Sequence, residues 1–211
     1  GRRLLGRSLL GRRLLGRSLL LRLTIDLQIQ HTAQDALIHQ VRKSHAKSGI
    51  AVVMDVETAQ VLALAVAPSY NTNEAKKVSA DTRRNRAITD MFEPGSTVKP
   101  FVVAYALENG IIGIKDTFDC EEGEYEVGGH TIRDSHPYEE LDLTSIIQKS
   151  SNICTAKIAK KIGKRGLHEN YRDLGFGTKT GVKFPGEASG MIRDWKKWTD
   201  VGLATMSFGQ G

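Results

Sequence analysis

No stretch of this chain is apolar enough to span a membrane. Its six histidines and two cysteines show neither an H-E-x-x-H pattern nor Cys/His ligand spacing, so no metal site is expected. No glycine-rich phosphate loop occurs, and no cofactor is expected. Acidic residues are missing from positions 1–20, which hold Arg2, Arg3, Arg7, Arg12, Arg13 and Arg17. Those six arginines account for the basic excess: without them, 30 basic against 24 acidic residues becomes 24 against 24. A surface-wide basic field for nucleic acid is therefore not indicated.

The arginine segment is a repeat. Gly1 to Leu10 reads GRRLLGRSLL, and Gly11 to Leu20 copies it letter for letter. The five-residue unit turns a helix by about 140°, which smears the leucines around the cylinder. On a strand an odd period alternates them between faces. Three explanations compete: an interfacial, membrane-touching arm, a connector duplicated artificially, or authentic repeat sequence; the letter-perfect copy favours the second. It is not a signal peptide, since no continuous apolar stretch follows the arginines. The expected organisation is thus an Arg/Leu segment over 1–21 and one mixed domain over 22–211.

Within that domain, Leu23 to Ile25 reads as a short strand or lead-in and Asp26 as a helix cap. Ile29, Ala33, Leu37 and Val41 share one face of the following helix, which Gly49 should end. Ile50–Val56 and Gln60–Val66 are β-rich and separated by a Glu57-Thr58-Ala59 turn; 71–84 is polar and loop-like. Gly128-Gly129 between two short strand runs is a second hairpin signal. Leu143–Lys149, Ile153–Ile162 and Leu167–Leu174 read as helices, the last closed by Gly175. Hairpins with helices grouped around them imply an α+β layer arrangement. Cys154 reads by default as a buried thiol, although an oxidising compartment would permit a disulfide to Cys120. Trp195 and Trp198 read as packing residues.

The chemistry lies in two short stretches. Glu93-Pro94-Gly95-Ser96-Thr97-Val98-Lys99-Pro100 sets a hydroxyl and an amine three residues apart at a helix start. Residues i and i+3 share a helix face, so Lys99 could reach back to Ser96. A serine needs a base to take its proton, and a lysine serves only if its ammonium is discouraged by burial or a positive potential. Pro100 marks the helix start, where its missing N–H does no harm, and Phe101, Val102, Tyr105 and Ala106 continue the helix. Gly95 would let a substrate approach the backbone. Fifty residues on, Lys149-Ser150-Ser151-Asn152 supplies a second hydroxyl and a carboxamide. The triplet also reads as a helix N-cap, and both roles can hold together.

The segment Arg84 to Phe101 strongly resembles the active-site segment of class B penicillin-binding proteins, the D,D-transpeptidases that cross-link peptidoglycan, in particular the division-specific type. The resemblance runs from about Leu23 to Gly211 and includes Leu23-Thr24-Ile25-Asp26, Pro68-Ser69-Tyr70-Asn71, Ser150-Ser151-Asn152, Phe184-Pro185-Gly186-Glu187 and Ser207-Phe208-Gly209-Gln210-Gly211. It implies a penicillin-binding fold with a central antiparallel sheet flanked by helices. Ser96 would be the nucleophile and Lys99 its base. Ser150 would relay a proton to the leaving amine, Asn152 would hold a substrate amide, and the Ser96 N–H would be an oxyanion donor. Implied partners are peptidoglycan stem peptides, β-lactams and other division proteins. The implied location is periplasmic, with membrane anchoring through a segment absent from this chain.

That family carries a third motif, Lys-Thr/Ser-Gly, on a sheet edge. Lys179-Thr180-Gly181 matches its letters but sits in a glycine-punctuated loop too soon after Asn152. The true motif is expected beyond Gly211, which would leave the chain as the front part of the domain, with its activity as it stands in question. Two other functions use the same parts: a β-lactamase or β-lactam sensor domain, and a non-catalytic fragment that binds division proteins.

Overall fold

The computed structural model describes residues 22–211, so the Arg/Leu repeat lies outside the described residues. These residues form two compact units, one ending at Asp90 and the other running from Met91 to Gly211.

In the first unit, α1 (Leu27–Lys43) starts at Asp26, whose carboxylate accepts the N–H groups of Gln28 and Ile29. Leu23 to Ile25 is a lead-in rather than a strand. β1 (Gly49–Met54) and β2 (Val61–Ala67) form an antiparallel hairpin. Gln30 fixes α1 on β2 by donating to the Leu64 carbonyl at 3.3 Å while accepting the Leu64 N–H at 2.8 Å. Gly49 does not end α1, which closes at Ser44, but opens β1. A Cβ there would meet Val41 Cγ2 at 2.7 Å and Leu37 Cδ1 at 2.8 Å, so glycine lets the strand press against the helix. The segment after β2 includes a 3-10 turn at Thr72–Lys77 and the short α2 (Arg86–Thr89).

The second unit holds α3 (Lys99–Glu108), the strand pairs β3 (Thr117–Asp119) with β6 (Glu140–Asp142) and β4 (Glu124–Val127) with β5 (His130–Arg133), then α4 (Leu143–Lys149), α5 (Asn152–Asp173) and α6 (Asp200–Ser207). Gly128 and Gly129 both take positive φ, as a two-residue hairpin with a type I′ turn requires. α5 packs against α3 and α6 around Val102, Ala106, Ile153, Ile158 and Leu167. The two helices read at Ile153–Ile162 and Leu167–Leu174 are one element interrupted at Gly163, whose φ of 82° and ψ of 162° break the helical path. Of the residues that continue this helix, Val102 and Ala106 are buried together with Val103, while Phe101 is 45 % exposed.

Cys120 and Cys154 are joined in a disulfide with their Cα atoms 5.3 Å apart. Cys154 is buried as expected but not as a thiol, because the fold brings the end of β3 onto the first turn of α5. Trp198 packs in the core and its indole N–H donates to the Arg193 carbonyl at 3.1 Å. The helices and antiparallel pairs together make an α+β protein. Among the described residues no helix is long and apolar enough to cross a membrane, and no group of three or more side chains is placed to hold a metal.

Candidate active site

The chain enters the site through Pro94 and Gly95. Gly95 has φ of +62°, a conformation that glycine adopts without penalty, and its N–H donates to the Gly209 carbonyl at 3.1 Å. A 3-10 turn over Gly95–Val98 then leads into α3. In a 3-10 turn residues i and i+3 eclipse, so Ser96 and Lys99 fall on one side of the chain. The Lys99 N–H donates to the Ser96 carbonyl. Ser96 is exposed, whereas Lys99 is 1 % exposed.

A lysine so deeply buried needs partners. The Lys99 Nζ donates to the Ser150 carbonyl at 2.5 Å, to Ser150 Oγ at 3.0 Å and to Asn152 Oδ1 at 2.7 Å. An ammonium has three N–H donors, and these contacts use all of them. Lys99 thus reaches across to the second motif; among the described residues the Ser96 hydroxyl is not one of its hydrogen-bond partners. Burial lowers the Lys99 pKa to about 8, with the Asp134 carboxylate acting in the opposite direction. At pH 7 about a tenth of the amine is therefore neutral.

The neutral amine keeps two donors and gains a lone pair. Of the three present partners only Ser150 Oγ can turn round and donate, since the other two are carbonyl-type oxygens. The arrangement can therefore pass a proton between Lys99 and Ser150 without moving either backbone.

Ser150 is aimed by an unusual backbone. It ends α4 in the left-handed region, with φ of 55° and ψ of 44°, where a non-glycine residue is strained by about 1 kcal/mol. That turn presents both the carbonyl and the hydroxyl of Ser150 to Lys99. Ser151 then caps α5 by accepting the Cys154 N–H at 3.0 Å. The N-cap reading of the triplet and the placement of Ser150 and Asn152 on Lys99 hold together.

The sequence reading missed Arg133 and Asp134. The Arg133 carbonyl accepts from Asn152 Nδ2 at 2.9 Å, which turns the carboxamide oxygen towards Lys99. The Asp134 carboxylate accepts from Ser151 Oγ at 2.6 Å, Asn152 N at 2.5 Å and Ile153 N at 3.1 Å. An acid ending a short strand, 18 residues before its partner, carries no local signal; only the β4–β5 fold brings it to the helix start.

Gly209 was noted only as part of a matching segment. A Cβ there would fall 2.3 Å from the Gly95 carbonyl oxygen. The chain itself thus makes a close backbone approach to Gly95. Lys179-Thr180-Gly181 lies in an exposed loop, where the Thr180 N–H and hydroxyl both donate to Glu187 at 2.6 Å.

Residues 49–211 match the penicillin binding protein transpeptidase domain. The chain is similar to the probable peptidoglycan D,D-transpeptidase PenA of Neisseria flavescens, 42 % identical over 189 residues that make up 90 % of this chain and 47 % of that protein. It is also similar to the peptidoglycan D,D-transpeptidase FtsI of Escherichia coli K12, at 41 % identity over 90 % of this chain and 32 % of that protein. The apo structure of the TP domain of Burkholderia pseudomallei penicillin-binding protein 3 superposes with a TM-score of 0.79 at 38 % identity, covering 90 % of this chain and 53 % of that one. The chain spans a third to a half of the length of these curated relatives. The chain therefore belongs to the penicillin-binding protein transpeptidase family.

Proposed function

We propose that this chain is part of a serine D,D-transpeptidase that cross-links peptidoglycan stem peptides. The observation that carries the reading is a buried lysine with a lowered pKa, one 3-10 turn after an exposed serine and hydrogen-bonded to a second serine and a carboxamide. Ser96 Oγ attacks the carbonyl carbon of the D-Ala-D-Ala peptide bond while neutral Lys99 takes its proton. The tetrahedral oxyanion is held by backbone N–H groups that include that of Ser96.

On collapse the C–N bond breaks. The proton travels from Lys99 through Ser150 to the departing nitrogen, and D-Ala leaves as an amine. An amine of a neighbouring stem peptide then attacks the Ser96 ester, returns its proton by the same route and restores the serine hydroxyl. The Nδ2 hydrogen and the Oδ1 lone pair of Asn152 that Arg133 and Lys99 leave unused would hold the donor peptide's amide. A β-lactam acylates Ser96 because its ring amide imitates the scissile bond.

The PenA and FtsI relatives are named peptidoglycan D,D-transpeptidases, which supports a role in wall synthesis; a place outside the cytoplasm, at the membrane and alongside other division proteins, is part of the proposal. The test is cross-linking of a synthetic D-Ala-D-Ala pentapeptide to an acceptor amine by the protein carrying this chain. Ser96→Ala should abolish both cross-linking and penicillin acylation, and Lys99→Ala should slow acylation by about 100-fold or more. Unchanged rates in Lys99→Ala would remove the lysine from its role.

A further inference from the structure

The N-terminus of α5 is organised by a residue outside both motifs. Its first three N–H groups lack intrahelical partners. Asp134 accepts those of Asn152 and Ile153, while Ser151 Oγ accepts that of Cys154 and donates its own hydrogen to the second Asp134 oxygen. One carboxylate thus satisfies two of the three orphan donors directly and orients the cap residue that satisfies the third. The neighbouring Arg133 carbonyl holds the Asn152 carboxamide with its oxygen towards Lys99.

The charge on Asp134 has a second consequence. Its hydrogen bonds go to the helix start and not to the ammonium, so it acts on Lys99 through space. The other groups against the amine, Ser150 and Asn152, are uncharged. Glu93, which precedes the turn, is exposed and accepts the Gly211 N–H, and Glu108 lies at the far end of α3. Asp134 is therefore the charge that opposes the effect of burial on Lys99.

Resting on the acyl-transfer reading above, we infer that Asp134 is a positioning residue of this site: its carboxylate clamps Ser151-Asn152 to the end of β5, and its charge keeps the Lys99 ammonium seated on the second motif. This gives the resting site a defined state. The lysine stays protonated and locked on Ser150 and Asn152 until it loses a proton and its lone pair becomes available. A neutral residue there, with one acceptor oxygen in place of two, would hold the helix start less firmly and would release the lysine proton more readily.

The experiment is the pH dependence of acylation by fluorescent penicillin, using the full protein that carries this chain. Melting temperature is recorded for each variant. Acylation requires neutral Lys99, so the rate rises with pH through the lysine pKa. Asp134→Asn keeps an acceptor oxygen without the charge, and should slow acylation about 10-fold at the plateau and move the acid limb down by about half to one pH unit. Asp134→Ser, a good helix cap without charge, should move the limb the same way, and Asp134→Glu should leave it near its parent position. A merely structural residue would lower the melting temperature and the plateau but leave the limb where it is.

Limbs that coincide for Asn, Ser and the parent would overturn the inference, as would a limb that shifts equally in Glu. If Asp134→Asn fails to fold, the Ser and Glu pair decides the matter alone. Ser96→Ala separates failure of the acyl-transfer reading from failure of the inference about Asp134. Acylation that persists in that variant removes the acyl-transfer reading itself, whereas acylation lost there with an unmoved limb in Asp134→Asn removes only the role of Asp134.

Discussion

Gly209 packs its backbone directly on that of Gly95. Its carbonyl accepts the Gly95 N–H at 3.1 Å, and a Cβ on Gly209 would lie 2.3 Å from the Gly95 oxygen and 2.5 Å from its nitrogen. The turn that carries Ser96 is therefore braced by the segment after α6, at a point with no room for any side chain.

Gly209→Ala should accordingly destabilise the protein by about 2–4 kcal/mol and slow acylation, because the clash is with backbone and the φ of 78° is itself unfavourable for alanine. Gly110→Ala is the matched control. Its φ is also positive, at 63°, but nothing lies within 4 Å of the added carbon, so it should cost about 1 kcal/mol and leave acylation alone. Urea unfolding of the two variants checks the difference; equal losses would mean that the Gly95–Gly209 contact is loose.

Ser150 combines a strained backbone with a functional hydroxyl, and two substitutions separate them. Ser150→Gly removes the hydroxyl and relieves the left-handed strain; Ser150→Ala removes the hydroxyl and retains the strain. Both should reduce acylation to a similar degree, while the glycine variant should be the more stable by about 1 kcal/mol. Acylation rates that differed as much as the stabilities would point to the backbone, and not the hydroxyl, as the active feature.

The buried Lys99 predicts a pH dependence of folding. Its folded pKa of about 8 lies below the model-peptide value of 10.5, so between those limits the unfolded chain binds more protons than the folded one. Stability gains from this group as pH rises from about 8 to 10.5, and the full penalty of up to about 3 kcal/mol applies below pH 8. Tyr171 works the other way at the alkaline end, since burial raises its pKa. The difference in melting temperature between the parent and Lys99→Met isolates the lysine. It should shift in favour of the parent between pH 8 and 10.5, and a flat difference would show that the amine is not held charged in a dry site.

The Cys120–Cys154 disulfide closes a segment that carries the β4–β5 hairpin, Asp134 and both serines of the second motif. Its reduction, or the double change to serine, should lower stability by about 3 kcal/mol through the freed loop. Melting with and without dithiothreitol measures this, and an unchanged midpoint would mean that the clamp at Asp134 suffices to hold the segment.

What was legible in the sequence was local. Asp26 and the Ile29, Ala33, Leu37, Val41 stripe announced α1, and Gly128-Gly129 announced a hairpin, because caps and two-residue turns are set by their own residues. Lys179-Thr180-Gly181 could be assigned to a loop because glycines flank it. The motif residues were found through resemblance, since a serine and a lysine three apart say little alone. Features that depend on distant contacts were hidden. Gly49 looked like a helix terminator, but its lack of a side chain answers to Val41 and Leu37 on α1, against which the strand packs. The default thiol at Cys154 became a disulfide because β3 meets α5. Lys99 was expected to turn back to Ser96, but the direction of a long side chain is decided by the acceptors the fold supplies, and those belong to Ser150 and Asn152.

The central claim is that the hydroxyl of Ser96 is the atom that forms the acyl bond. Peptide mapping by mass spectrometry after brief treatment of the full protein with a penicillin tests it directly. The account predicts a single added penicilloyl mass on the peptide that contains Ser96, absent from Ser96→Ala and reduced in Lys99→Ala. An adduct on any other residue, or one that persists when Ser96 is replaced, would contradict it.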